Sequence, residues 1–249
     1  MKRIFSLSAF LLVFLVSSVS LAEDLTADEI LKTVDKKLDI SRTEVEFEMK
    51  VYRENTLRKT YRMSSKRKSK KAMLVETIFP PRNEGEMILA VGDNMNNIFS
   101  YLPNINKVVR ISLRNFFSNS DFSNFDITAN DFYDDYKPTL QGIEKIDGQD
   151  VYRLELMARN EDVEYAKIIY WIRKADLMPL KRDYYTFSGY LFKRLKMQIK
   201  SDIMGGMPDF YVMTSVLEKE KYTTIKFVKY KTNMDFPEEM YRSSSLLKR

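Results

Sequence analysis

Two residue types are missing altogether from this 249-residue chain: there is no Cys and no His. Without them the chain cannot build disulfide scaffolds, thiol nucleophiles, zinc sites on thiolate or imidazole, or the Ser–His–Asp and Cys–His triads of hydrolases. Gly and Pro are scarce at 7 each, which excludes collagen-like and low-complexity architecture and leaves little material for Gly-rich phosphate loops. Trp occurs once, whereas Phe occurs 16 times and Tyr 15 times. Past the first twenty residues no stretch approaches the ~18 apolar residues of a spanning helix. What the chain has is enough apolar content, 44%, to build a core, with 31% charged residues and a formal charge of +6. That excess suits a membrane surface or an acidic partner, and equally an ordinary basic globular protein.

The N-terminus sets the expected compartment. Lys2 and Arg3 precede an apolar run from Ile4 to Val16, and Ser20-Leu21-Ala22 places small side chains before a cut after Ala22. A short basic start, a short apolar stretch and small residues at the cut describe a secretory signal peptide over residues 1–22. The mature chain, 23–249, is then expected in the periplasm as one domain, with no nucleic-acid partner.

Thr26-Ala27-Asp28-Glu29 has the form of a capping box, and Ile30, Leu31, Val34 and Leu38 follow at helical spacing, so a helix is expected over about 27–39. The period then changes to two. Val45, Phe47, Met49 and Val51 alternate with Glu44, Glu46, Glu48 and Lys50, the pattern of a strand with one dry and one wet face. A second strand runs near 57–63. Further strands are read near 71–79, 86–91, 96–102, 107–112, 139–146, 150–157, 164–173, 179–187, 190–200, 209–218 and 223–231, separated by turn residues such as Pro103-Asn104 and Asp147-Gly148. Many short strands joined by tight turns predict an antiparallel meander closing into a barrel or curved sheet. Residues 113–137, rich in Asn, Asp, Ser and Phe and without period two, are expected as short helices and loops on that sheet.

Few motifs carry chemistry. Ser65-x-x-Lys68 has the spacing of some serine acyltransferases but lacks their partner motifs. The acids Asp126, Asp131, Asp134 and Asp135 do not have calcium-loop spacing and are expected to cap and solvate. The run Lys66-Arg67-Lys68, with Lys70 and Lys71, reads as a solvated hairpin tip, or as a contact for anionic headgroups. The alternating strands assign an inward face of Val45, Phe47, Met49, Val51, Tyr61, Met63, Met73, Val75, Met87, Leu89, Phe99, Tyr101 and Ile111. Met suits irregular spaces, and such a face either fills a core or encloses an apolar cavity; composition does not separate the two.

Several segments in order resemble the outer-membrane lipoprotein-sorting family, the LolA-like carriers. They are Phe99-Ser100-Tyr101-Leu102-Pro103 followed by Lys107-Val108-Val109-Arg110-Ile111; Phe117 to Ile127, where Asn119 stands in place of the family's usual Gly; Gly142 to Tyr152; Tyr165 to Trp171; Pro179 to Tyr185; Gly189 to Lys193; and Thr223 to Ile225. The resemblance implies a mainly β (α+β) fold, a highly curved, incomplete antiparallel β-barrel with an N-terminal helix and short lid helices over an apolar cavity. It further implies a non-enzymatic periplasmic carrier, without cofactor or metal and monomeric, that shelters acyl chains of a lipoprotein or lipid between an inner-membrane transporter and an outer-membrane acceptor. The inward residues would then bind lipid, and Arg110, Phe122 and Phe125 would form the lid or rim. Because the same fold also serves envelope-stress sensing and accompanies exporters, a sensor or accessory module without lipid transport stands as the alternative.

Overall fold

A computed structural model describes residues 25–128, 131–218 and 220–248; the expected signal peptide lies outside the described residues. Helix α1 spans Ala27–Lys37. Its capping box forms as the residue types require: the Glu29 amide donates to Thr26 Oγ1 at 3.2 Å, and the Thr26 amide donates to Glu29 Oε2 at 2.9 Å. Ile30, Leu31 and Val34 line its dry face and are fully buried.

Thirteen strands follow: β1 (Thr43–Arg53), β2 (Thr56–Ser69), β3 (Ala72–Phe79), β4 (Met87–Val91), β5 (Asn97–Leu102), β6 (Lys107–Ile111), β7 (Tyr136–Ile146), β8 (Gln149–Ala158), β9 (Lys167–Arg173), β10 (Pro179–Tyr185), β11 (Leu191–Gln198), β12 (Phe210–Ser215) and β13 (Tyr222–Lys231). They make one antiparallel sheet in the order β6-β5-β4-β3-β2-β1-β13-β12-β11-β10-β9-β8-β7. Tight turns join most neighbours. The exception is the centre, where the first strand pairs with the last, Val45 opposite Tyr230 and Met49 opposite Ile225. The sheet does not close into a barrel, and its two edges, β6 and β7, are consecutive in sequence. Residues 112–135 therefore run from one edge to the other and bridge the opening.

One face of the sheet gathers the main core. Phe47, Met49 and Met63 from the centre, Ile98 near one edge, and Leu154 and Tyr136 near the other meet α1 and the bridging segment in a single apolar cluster. Side chains from strands so far apart in the sheet order can meet only if the sheet curls around them. The opposite face of β3–β5 is dry as well. Leu74, Met87, Leu89 and Tyr101 lie there against Phe236, Tyr241 and Leu246, so the C-terminal segment packs on the outside of the sheet.

That second layer corrects four of the expected inward residues. Met87, Leu89, Phe99 and Tyr101 face outward, under the C-terminal segment; Ile88, Ala90 and Ile98 occupy the inward positions. The pairing fixes the parity, since Met73 lies opposite Ala90 and Val75 opposite Ile88. Period two locates a strand but not its inner face when both faces are apolar, as in Met87-Ile88-Leu89-Ala90-Val91.

The basic run also departs from expectation. β2 continues to Ser69, so only Lys70 and Lys71 form the hairpin tip, paired with Asp131 and with Asp93. Lys68 reaches the C-terminal segment on the outside, with Nζ 3.0 Å from the Phe236 carbonyl and a salt bridge to Glu238. Arg67, on the alternate face, is buried in the interior.

Candidate functional site: a latched cavity under the bridging segment

The bridge carries a 3-10 turn, Phe117–Asn119, and a short helix α2, Asn124–Thr128. Ser118 and Asn119 have φ of 49° and 56°. Asn tolerates this left-handed region better than most residues, which suits Asn119 to this turn. Phe122 and Phe125 point inward and are buried as expected, and Phe125 meets Phe132 and Tyr165 edge to face.

Polar latches tie the bridge to both halves of the sheet. The Asp121 carboxylate accepts from Arg53 Nη1 at 2.8 Å and from the Thr223 hydroxyl at 2.6 Å. Asp126 accepts from the Ser123 amide at 2.8 Å, from Tyr165 Oη at 2.9 Å and from Lys193 Nζ at 2.7 Å. Glu164 lies 3.6 Å from Lys193 and also contacts Ser123. Burial, and next the neighbouring Asp126 charge, push the Glu164 carboxyl up to about 7. The expected capping and solvation hold in part: Asp126 caps α2 through Ser123 and Asp134 is exposed, but the Asp126 carboxylate lies in the interior. Asp126 is an interior anion matched to an interior cation.

At the other end Asp35, on α1, accepts from the amides of Phe132 and Tyr133, each at 2.9 Å. Its second oxygen has no partner. Burial and the adjacent Asp131 push Asp35 up to about 7. Between these anchors Arg67 reaches the end of α2, Nη2 donating to the Thr128 carbonyl at 2.9 Å and lying 3.1 Å from Met73 Sδ. Burial holds its guanidinium down to about 10.

Beneath the bridge lies a narrow apolar cavity of about 90 Å³. Val45, Phe47 and Met73 line it from the first half of the sheet, Leu195, Met197 and Ile225 from the second, Met204 and Met207 from the β11–β12 connection, and Phe122 from the bridge. The two readings left open by composition are therefore both met in part, since most of the concave face is filled while a small void remains. Of the expected lipid-contacting residues, Val45, Phe47 and Met73 line the void. Met49, Val51, Tyr61, Met63 and Val75 pack in the same core away from it, with Ile111 partly buried against that core near the sheet edge.

Two guanidiniums share this wall, Arg67 and Arg182. Arg182 donates to Tyr170 Oη at 2.6 Å and lies over the Phe132 and Tyr170 rings at 4.5 and 4.4 Å. Arg67 also borders a wider, polar vestibule of about 300 Å³ lined by Asp35, Asp39, Asp131, Asp134 and Lys70. The expected lid arginine, Arg110, does not line this cavity; it borders an open cleft with Leu113 and Phe125 of the bridge. It sits exposed on edge strand β6, opposite Phe99 on the outer face, and donates to Asn97 Oδ1 at 2.8 Å. Arg67 holds the position that reaches the bridge.

The second half of the sheet was legible: Leu195 and Met197 alternate with Arg194 and Lys196, the same signal that marks β1. No sequence signal marks Arg67 or Arg182, which sit among other basic residues. Ser65 and Lys68 point to opposite faces of β2, so they form no catalytic pair. Among the described residues no group of three or more Asp or Glu is placed to share a metal ion, and no helix is long and apolar enough to cross a membrane.

The profile of a family described only as "uncharacterized protein" matches residues 69–248. No curated protein matches the chain. Among solved structures, a LolA superfamily protein from Nitrosomonas europaea is 24% identical with a TM-score of 0.78, over 89% of this chain and 100% of that one. A DUF1329 family protein from Desulfovibrio piger is 25% identical with a TM-score of 0.77, over 88% of this chain and 97% of that one. A domain described as an outer-membrane lipoprotein-sorting protein, from Vibrio parahaemolyticus, is 23% identical with a TM-score of 0.76, over 89% and 98%. With most of its length inside that profile and 88–89% of it covered by these structures at TM-scores of 0.76–0.78, the chain belongs to the family the profile defines and has the LolA-like fold.

Proposed function

We propose that the chain is a non-enzymatic periplasmic carrier that shelters acyl chains of a lipid or lipoprotein in transit between envelope membranes. The observation that carries this reading is the cavity. It is apolar, lined by four Met side chains, and roofed by a segment fastened through polar contacts rather than through the strand ladder. Side-chain contacts, polar and apolar, can be given up without breaking the strand ladder, so such a roof can lift while the sheet stays folded. At about 90 Å³ the closed cavity has room for about three waters' share of volume, well below the ~300 Å³ of a small ligand pocket. Cargo entry therefore requires the roof to rise and the Met side chains to rearrange, which Met does readily.

The need for shelter is energetic. Exposing about 15 methylenes costs on the order of 12 kcal/mol at about 0.8 kcal/mol each, so free crossing of an aqueous gap would be very slow. Arg67 acts as the latch in this reading, because its donor to the Thr128 carbonyl must break when α2 lifts. Donor and acceptor would be an inner-membrane transporter and an outer-membrane acceptor, and the carrier would work as a monomer.

Native mass spectrometry of the chain taken gently from its own envelope, with uptake from phospholipid vesicles, tests the proposal. Bound lipid, and uptake reduced about tenfold by filling the void with Met197→Trp, are expected. Protein free of lipid that takes none up would overturn it and favour the sensor or accessory role, which needs no cavity that widens.

A further inference from the structure

Resting on the carrier reading, we infer that the cargo is an anionic amphiphile, whose oxyanion head is held by Arg67 and Arg182 while its chain occupies the Met-lined void. Among the described residues, three cationic side chains are buried to nine-tenths or more: Arg67, Arg182 and Lys193, at 3%, 8% and 2% exposure. Lys193 has its counter-charges, Asp126 at 2.7 Å and Glu164 at 3.6 Å. Neither arginine forms a direct ion pair among the described residues, although Arg67 feels the Asp39 carboxylate across the vestibule. Arg67 is met by the Thr128 and Ile127 carbonyls and by the sulfurs of Met73 and Met95. Arg182 is met by the hydroxyls of Tyr170 and Tyr184 and by aromatic faces. Each keeps a buried Nε–H with no acceptor at all.

This chain is not short of carboxylates, with 35 Asp and Glu against 41 Lys and Arg. Arg53, Arg173 and Arg194 all pair with an Asp, at 2.8, 2.6 and 2.7 Å. Leaving two interior guanidiniums with neutral partners is costly unless something supplies the missing charge, because a buried cation without a counter-ion pays desolvation it does not recover. Both line the same apolar cavity, and its single carboxylate, Asp126, is already matched by Lys193. A carboxylate or phosphate there would meet two forked donors with free N–H groups, in charge-assisted bonds that surpass those to a carbonyl or a thioether. It would also compete with the Thr128 carbonyl for Arg67, so that taking up the head loosens the roof.

The test is displacement of a fluorescent acyl probe from the purified full chain by compounds sharing one twelve-carbon tail: dodecanoate and dodecyl phosphate against dodecanol and dodecyltrimethylammonium, with inorganic phosphate as the headgroup alone. Both anions are expected to bind at least about tenfold more tightly than dodecanol, and the ammonium more weakly still. Arg182→Met should bring the anion-to-alcohol ratio close to one, and Arg182→Lys should retain part of it. Should the methionine variant fail to fold, the wild-type ratio decides alone. Equal binding of anion and alcohol, or a ratio unmoved in a folded Arg182→Met, overturns the inference and leaves the carrier reading standing. Displacement by inorganic phosphate as strong as by dodecyl phosphate overturns the amphiphile assignment in favour of a free oxyanion. If no tailed compound binds, the carrier reading falls with it.

Discussion

Lys193 and Asp35 show how much of this interior is set by single polar side chains. Lys193 is the cation that lets Asp126 and Glu164 stay under the bridge. Lys193→Met would keep the packing volume but strand the interior carboxylates, and destabilisation of about 3–5 kcal/mol is expected in urea unfolding. Asp35 works in the opposite sense. Its folded carboxyl holds a proton up to about pH 7, whereas an unfolded Asp releases it near pH 4. Between those values the folded state binds more protons, so stability falls as pH rises through the window. Asp35→Asn keeps an acceptor for the Phe132 and Tyr133 amides without the charge. It should be more stable than the parent at pH 8 by on the order of 1–2 kcal/mol, and closer to it at pH 5. These residues were also the hardest to read beforehand. An Arg, Lys or Asp among other charges looks the same in sequence whether it meets water or the interior. The local pattern therefore makes Arg67 part of a wet turn, and only the family resemblance, not any local signal, points to Arg110 as the lid arginine.

At the scale of elements the sequence was far more legible, because period two and turn residues report the local backbone directly. Each strand expected from alternation is present, and the helix ends at Lys37, two residues short of its expected limit. What alternation could not supply was the choice of face in β4 and β5, which depends on a C-terminal segment with no periodic pattern of its own. A chain stopped after Asn233 should expose Leu74, Met87, Leu89 and Tyr101. Strong binding of a hydrophobic dye and self-association are expected, while the inner core stays formed. The bridging segment can be probed through its latch. In Arg67→Met, amide hydrogen exchange across 124–128 should rise about tenfold while β1 and β13 keep their protection. Equal acceleration in the central strands would mean that Arg67 holds the core and not the roof.

At the scale of the whole molecule, the three carboxyls of the described residues that are moved into the range between pH 5 and 8 all act on stability in the same sense. With no His in the chain, Asp35 and Glu164, both pushed up to about 7, and Asp135, pushed up to about 6 by burial and then by Asp134 and Asp131, govern that range. All three favour the protonated form when folded. The melting temperature is expected to be higher at pH 5.5 than at pH 8 by about 5 °C, and a flat or rising profile would contradict the buried placement of these carboxyls.

The sheet order has a further consequence for assembly. Strands β1 and β13 meet in the middle, so the ladder that joins the two halves waits until residue 231 has been made, while every other ladder links strands that are consecutive in sequence. A chain interrupted between β12 and β13 would be left not with a frayed margin but with two separate hairpin stacks, each offering an unpaired strand to its neighbours. Such a molecule would depend, during synthesis, on something that keeps β1 from pairing with strangers.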